Sequence, residues 1–159
     1  MLENMQICDR YDLKLLDLMQ RNSALSRAEL AERVGLSESQ VARRRAALEA
    51  EGLIRRYRAE LDTRAIGLAV AAFVHVRLNR HSQGNAQRFA KLVRTTPGII
   101  EAHAVSGEFD YLMKVRETDL AALQRLINDV LLANSAVDLV RSEIVLDTLC
   151  EDQPLKISY

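Results

Sequence analysis

Two groups of side chains in this 159-residue chain have types and spacings that bear on chemistry. The first is a set of seven arginines, Arg33, Arg43, Arg44, Arg45, Arg55, Arg56 and Arg58, interleaved only with Glu38, Glu49 and Glu51. The segment 33–58 therefore holds a surplus of four positive charges, inside a molecule whose 22 basic and 22 acidic residues cancel. Planar guanidinium groups in that density suit phosphate oxygens and the guanine edge of a DNA major groove. The second group is Glu101, Glu108 and Asp110, three carboxylates within ten residues around Ser106-Gly107. Acid–base catalysis needs a partner nucleophile or a matched second group, and nothing nearby completes such a set. Acceptors beside free backbone groups at a sheet edge suit the binding of an ammonium group better.

The sequence contains no GxGxxG, P-loop, HExxH or GxSxG motif, so the reading is of no enzyme, with no catalytic residue, cofactor or metal. His75 and His103 fall on expected strands and read as structural histidines. Cys8 and Cys150 lie near opposite ends without a second Cys or a His at metal spacing, which reads as two reduced thiols in a cytoplasmic protein. Overall neutrality excludes a strongly basic nucleic-acid coat while leaving room for a local patch. Hydrophobic residues at 48% and charged ones at 28% are ordinary for a globular chain able to bury a core. The longest apolar stretch, residues 65–76, is broken by His75 and too short to span a bilayer. The N-terminus shows no apolar signal region, so no membrane association is expected.

The elements that must position these groups divide near residue 60. From Asp9 to Gly52 the pattern is helical. Leu13, Leu15, Leu16, Leu18 and Met19 make a stripe behind Asp9 as N-cap, and 22–25 reads as a loop. Ser26-Arg-Ala-Glu29 and Ser37-Glu-Ser-Gln40 are two capping boxes, in which each N-cap side chain and the residue three later satisfy each other's backbone N–H. Gly35 stops the short second helix. The third places Val41 and Leu48 on one face and ends at Glu51-Gly52. Two capped helices meeting at a glycine turn behind a supporting helix predict a helix-turn-helix unit; the spacing alone also admits a plain helical bundle. Three consecutive arginines cover about 200° of a helix, so at least one of Arg43, Arg44 and Arg45 faces solvent. Ser39 and Gln40 sit in the first turn, where a recognition helix presents base-reading groups. Arg55, Arg56 and Arg58 follow in an extended stretch suited to phosphates.

Beyond residue 69 the period changes. Strands are expected at 70–78, 99–105, 109–115 and 137–146, and helices at 82–94 and 119–132. The order β-α-β-β-α-β is the ferredoxin-like split unit, with both helices on one face. The open face is expected to be apolar through Val70, Ala72, Val74 and Val76, and to be covered by dimerisation.

With these pieces in place, the chain resembles the Lrp/AsnC (feast/famine) transcriptional regulators from Asp9 to about Glu151. The matching segments are Asp9-x-x-Asp12-x-Lys14-Leu-Leu16, Glu29-Leu-Ala-x-x-Val-Gly-Leu-Ser37, Val41-x-x-Arg44, Leu48-Glu49-x-x-Gly52-Leu-Ile54, and Leu61-Asp62 to Gly67. The most specific is Val105-Ser-Gly-Glu-Phe-Asp-Tyr-Leu112. The resemblance implies an α+β protein: a winged-type helix-turn-helix over 1–60, a linker over 61–68, and a ferredoxin-like βαββαβ sandwich over 69–159 for effector binding and oligomerisation. Its implied partners are double-stranded DNA, an amino-acid effector, and further copies of itself as a homodimer assembling up to an octamer. Position 45, commonly apolar in the family, is Arg45 here, and the two following positions, commonly basic, are Ala46 and Ala47.

The DNA-facing residues expected on this basis are Ser37, Ser39, Gln40, Arg43, Arg44, Arg45, Arg55 and Arg56. The effector site implied by the resemblance lies between dimers, at Ala104, Ser106, Gly107, Glu108 and Asp110, then Leu120, Ile144 and Val145. Gly107 would let backbone approach a carboxylate closely, and Asp110 would pair with the α-ammonium or cap a turn. Leu120, Ile144 and Val145 are open to the simpler reading of core side chains. The expected function is a sequence-specific regulator controlled by that effector; the alternative is an architectural DNA-bridging protein with little ligand control.

Overall fold

A computed structural model describes residues 8–79 and 84–159. They fall into two compact units, one of residues 8–60 with Cys150–Tyr159, the other of the described residues within 61–149. The last ten residues, expected with the sheet domain, thus group with the helices. The Gln20 amide ties them there, donating to the Leu155 carbonyl (2.7 Å) and accepting from the Leu155 N–H (2.8 Å), and Arg58 meets Asp152 at 3.5 Å.

The helical unit comprises α1 (Arg10–Arg21), α2 (Arg27–Val34) and α3 (Glu38–Ala50), and each opens in a capping box. Asp9 accepts from the N–H groups of Tyr11 and Asp12, while the Asp12 carboxylate reaches back to the Asp9 N–H. Ser26 with Glu29, and Ser37 with Gln40, repeat the arrangement. Gly35 ends α2 in the left-handed conformation (φ +81°), where a side chain would be strained. These caps set where the helices begin, and burial sets how they pack. Leu15, Met19, Leu25, Leu30, Ala31, Val34, Val41 and Leu48 form one core, each large member contributing about 1.5–3 kcal/mol relative to exposure.

The second unit is a four-stranded sheet of β1 (Val70–Leu78), β2 (Ile99–Ala104), β3 (Tyr111–Glu117) and β4 (Val137–Ile144), in the order β2-β3-β1-β4 with every neighbour antiparallel. Helices α4 (Asn85–Thr95) and α5 (Leu120–Arg125) follow β1 and β3. This is the expected ferredoxin-like order. The expected start of α4 at Ser82 lies outside the described residues; among those described, the helix begins at Asn85 after a left-handed Gly84. Asp119 caps α5, accepting the Ala122 N–H at 2.7 Å. Beyond Arg125 the helix loosens into π-helical turns over Leu126–Leu132. That wider winding brings Leu126 and Leu131, five residues apart, to the same buried side.

The expected composition of the open sheet face is corrected by one residue in phase. Ala72, Val74 and Val76 are buried in the helix-covered core, with Val70 packed against it. The opposite face of β1 carries Ala71, Phe73, His75 and Arg77, flanked by Leu112 and Lys114 of β3 and by Arg141 and Glu143 of β4. Both faces of β1 contain small or apolar residues, so alternation establishes that the faces differ without saying which one the helices cover. The open face is consequently mixed. Its Glu143 accepts from Arg141 at 3.0 Å and lies 3.9 Å from His75, whose ring packs on Phe109.

One turn in this unit is sensitive to a single methyl group. Gly98 precedes β2 with φ +85°, and its carbonyl accepts the Arg116 N–H at 2.8 Å. A Cβ there would lie 2.4 Å from a Glu117 carboxylate oxygen and 3.1 Å from the Arg116 carbonyl. The glutamate can swing aside, but the carbonyl belongs to the sheet. Gly98→Ala is therefore expected to cost about 1–3 kcal/mol in urea unfolding. A loss below a few tenths of a kcal/mol would show that the turn relaxes freely.

Candidate functional site

The helical wheel of α3 explains where each expected DNA-facing residue points. Val41, Arg44, Arg45 and Leu48 fall within about 100° of one another, whereas Ser39 and Arg43 lie on the opposite side. Val41 and Leu48 are buried, and Ser39, Arg43, Ala46, Ala47 and Ala50 are exposed. The outward face of α3 is therefore Ser39 and Arg43 among small residues, and Arg43 has no ion-pair partner among the described residues.

Arg44, expected at the DNA surface, is turned toward α1 instead. Its two amino groups lie 2.8 Å from the carboxylates of Asp9 and Asp12, and its guanidinium carbon is 5.5 Å from the Tyr11 ring centroid. Burial pushes the Asp9 carboxyl up, but the N–H of Asp12, the Arg44 guanidinium and the N–H of Tyr11 outweigh it and hold it below the usual range. Arg45 is taken up similarly. Its Nε donates to Glu49 at 2.9 Å, and its guanidinium lies 4.8 Å from the Tyr57 ring centroid. The Tyr57 hydroxyl donates to the same Glu49 oxygen at 2.7 Å. These two donors, the hydroxyl first, keep the Glu49 carboxyl below its ordinary value. An arginine thus fits a commonly apolar position by stacking on a ring and meeting a carboxylate one turn on.

Ser37 and Gln40 are occupied as a cap, with the Gln40 carbonyl oxygen accepting from Ser37 Oγ (3.0 Å) as well as its N–H, and Ser39 Oγ lies 3.1 Å from Ser37 Oγ. Arg55 and Arg56 follow Ile54 on an exposed arm, and no strand lies between α3 and β1 among the described residues. Local periodicity could not have revealed Asp9 and Asp12 as partners of Arg44, or Tyr57 as a partner of Arg45, although Glu49 one turn on from Arg45 and the phase of both arginines relative to Val41 and Leu48 were usable signals.

In the sheet unit, Ala104 ends β2, and Ser106, Gly107 and Glu108 form an exposed connection to β3, with Gly107 at φ +127°. Asp110 is built into the sheet. Its carboxylate accepts the Leu78 N–H at 2.7 Å, its own N–H donates to Val76, and its carbonyl accepts from Val105. That contact ties one carboxylate oxygen to the end of β1 rather than capping its own turn, and the other oxygen has no hydrogen-bond partner among the described residues. Ala104, Val105 and Asp110 line an open cleft of about 550 Å³ whose other wall is Asn85, Ala86 and Gln87 at the start of α4. The cleft wall from α4 was not anticipated. Asn85 is buried at 5% exposure and bonded to the Asn79 carbonyl and to Arg88.

Leu120, Ile144 and Val145 are not part of this cleft. Ile144 pairs with Ala72, and Val145 donates to Ala71, at the start of β1, while Tyr111 pairs with Val76 at its end. Four residues of strand, about 13 Å, separate the two positions along β1. Leu120 and Ile144 are exposed rather than core. Within one chain the implied effector residues therefore form two sets, at opposite ends of the sheet. Among the described residues no cluster of His, Cys, Asp or Glu could hold a metal ion, and no helix is long and apolar enough to cross a membrane.

Comparison with known proteins agrees with this division of labour. Residues 9–55 match a family described as winged helix-turn-helix DNA-binding, and residues 71–155 match the Lrp/AsnC ligand binding domain. Fold and matches together define a DNA-binding transcriptional regulator with a separate ligand-binding domain, a non-enzymatic class. The chain is 34% identical over 149 residues to the leucine-responsive regulatory protein of Escherichia coli, covering 94% of this chain and 91% of that one. It is 37% identical over 118 residues to the glutamate uptake regulatory protein of Zymomonas mobilis, covering 74% and 72%. A transcriptional regulator from Neisseria meningitidis, solved as a complex with L-Met, superposes with a TM-score of 0.91 at 34% identity over 94% of this chain and 96% of that one. The chain belongs to the Lrp/AsnC family of transcriptional regulators.

Proposed function

We propose that this regulator is a homo-oligomer whose grip on specific DNA sites is set by a free amino acid bound in the sheet domain. The observation that carries this reading is the division of the effector residues into two sets at opposite ends of one sheet, which a second copy of the chain can bring together. One copy supplies Ala104, Ser106, Gly107, Glu108 and Asp110; its neighbour supplies Leu120, Ile144 and Val145. The free oxygen of Asp110 meets the α-ammonium, and backbone N–H groups around Gly107 meet the carboxylate. A dimer forms by covering the open sheet face, where Phe73 is 40% exposed, and dimers associate further, up to an octamer. Two relatives point to amino acids as ligands, one seen with L-Met and one named leucine-responsive. The DNA surface is the outward face of α3, Ser39 and Arg43, together with Arg55 and Arg56, and the protein works in the cytoplasm.

A thermal-shift screen against the twenty amino acids tests the sensor. A ligand at 100 times its dissociation constant stabilises the native state by about 2.7 kcal/mol, a visible shift. Asp110→Asn retains an oxygen for the Leu78 N–H while removing the charge. It is expected to melt like the parent and to lose the ligand shift. A full shift in that variant overturns the site. No hit from a folded sample favours a DNA-bridging architectural role without ligand control, which a steep salt dependence and broad sequence tolerance would mark.

A further inference from the structure

The arm that follows α3 is held at Ile54 and at Tyr57, three residues apart, and Arg58 just beyond them meets Asp152 at 3.5 Å. Ile54 packs against the helical core, and its N–H donates to the Leu48 carbonyl at 3.1 Å. Tyr57 is the second anchor, through its hydroxyl on Glu49 at 2.7 Å and its ring under the Arg45 guanidinium at 4.8 Å. Only Arg55 and Arg56 lie between the anchors. Both are exposed, and neither has an ion-pair partner among the described residues. Three residues reach at most about 11 Å when fully extended, so the arginine pair cannot swing far from α3. Of the seven arginines over 33–58, carboxylates hold Arg44, Arg45 and Arg58, which leaves Arg43, Arg55 and Arg56, with Arg33 on α2, without an ion pair among the described residues.

We infer that Tyr57, acting with Glu49 and Arg45, is a positioning residue that pins Arg55 and Arg56 beside the recognition helix as a preformed pair of phosphate contacts. This rests on the reading of those two arginines as DNA-facing. The pinned arm loses little freedom on binding, whereas an unpinned one must be ordered by the DNA. Tyr57 itself is 42% exposed and lies outside the helical core, so its loss acts on the arm more than on folding.

The test uses the full chain and a fluorescently labelled duplex of random sequence, titrated at several salt concentrations. Arg55→Ala/Arg56→Ala is expected to lower the slope of log affinity against log salt by about 2, because each phosphate contact contributes about 0.9. Tyr57→Ala in the parent is expected to weaken binding about three- to tenfold, the effect of ordering a freed segment. In the Arg55→Ala/Arg56→Ala background it is expected to do nothing further. Tyr57→Phe, which keeps the ring on Arg45 but drops the hydrogen bond, should fall between, and it serves should Tyr57→Ala not fold. If the double arginine variant lowers the slope but neither Tyr57 variant weakens binding, the positioning role is overturned and the DNA surface stands. An equal loss from Tyr57→Ala in both backgrounds also overturns it, since Tyr57 would then act through α3. An unchanged slope in the double arginine variant removes the arm from the DNA surface altogether.

Discussion

Phe89→Ala is expected to cost the sheet unit about 3–5 kcal/mol, the range for truncating a fully buried aromatic side chain. Phe89 lies on α4 with no exposed surface, and its ring centroid is 4.8 Å from that of Tyr111 at a 43° tilt. Its cluster includes Val74, Val76, Met113, Val115 and Leu131, so the cavity would open between helix and sheet. Domains of this size have a total margin of about 5–15 kcal/mol, and the change would consume a large part of it. Tyr111 also borders the cleft beside Asp110, so the same substitution loosens one wall of that cleft. Chemical denaturation followed by circular dichroism measures the loss, and hydrogen exchange assigns it. Protection is expected to fall in β1, β3 and α4 and to persist in α1 to α3, which have a core of their own. A loss under about 1 kcal/mol would mean that the core closes over the gap.

Arg44→Ala is expected to cost the helical unit about 2 kcal/mol, the scale of hydrogen bonds to charged groups. It removes both contacts at 2.8 Å and leaves the carboxylates of Asp9 and Asp12 facing each other across the start of α1. Because Arg44 flanks the buried Leu48–Val41 face on the wheel, the change also frees α3 to shift against α1, and DNA affinity falls with it. Asp12→Asn separates placement from direct contact. A clamp predicts that this variant loses affinity too, whereas an arginine that touches DNA would gain freedom from the loss of its carboxylate. The pH dependence has a definite sign. Asp9 has a carboxyl pKa below its unfolded value, so its contribution is complete above the unfolded value, about 4, and is lost as pH falls through the lower folded value. Arg44→Ala removes one of the interactions that depress that value. Its stability should therefore fall less steeply below pH 4 than the parent's, without becoming flat, because the N–H groups of Tyr11 and Asp12 remain. An unaltered acid profile would show that the ion pair contributes nothing to stability.

The amino-acid sequence alone determined the parts of this protein that depend on near neighbours. The boxes at Ser26-Glu29 and Ser37-Gln40, the stop at Gly35, and the bounds of β1 follow from residues within four positions of one another. So does the order of elements in the sheet unit, because a change from helical to alternating period is itself a local property. Tertiary structure alone decided which partner each exposed or half-buried group takes. Arg44 meets carboxylates more than thirty residues earlier, the Asp110 carboxylate meets the Leu78 N–H, and Gln20 meets Leu155. The face of β1 that the helices cover, and the separation of Asp110 from Ile144 along it, were settled in the same way. A cap closes a ring of a few bonds and is specified by the residues that form it. An ion pair or a sheet face depends on how whole elements pack, where the hydrophobic core, rather than the polar residue itself, chooses the direction in which each side chain points.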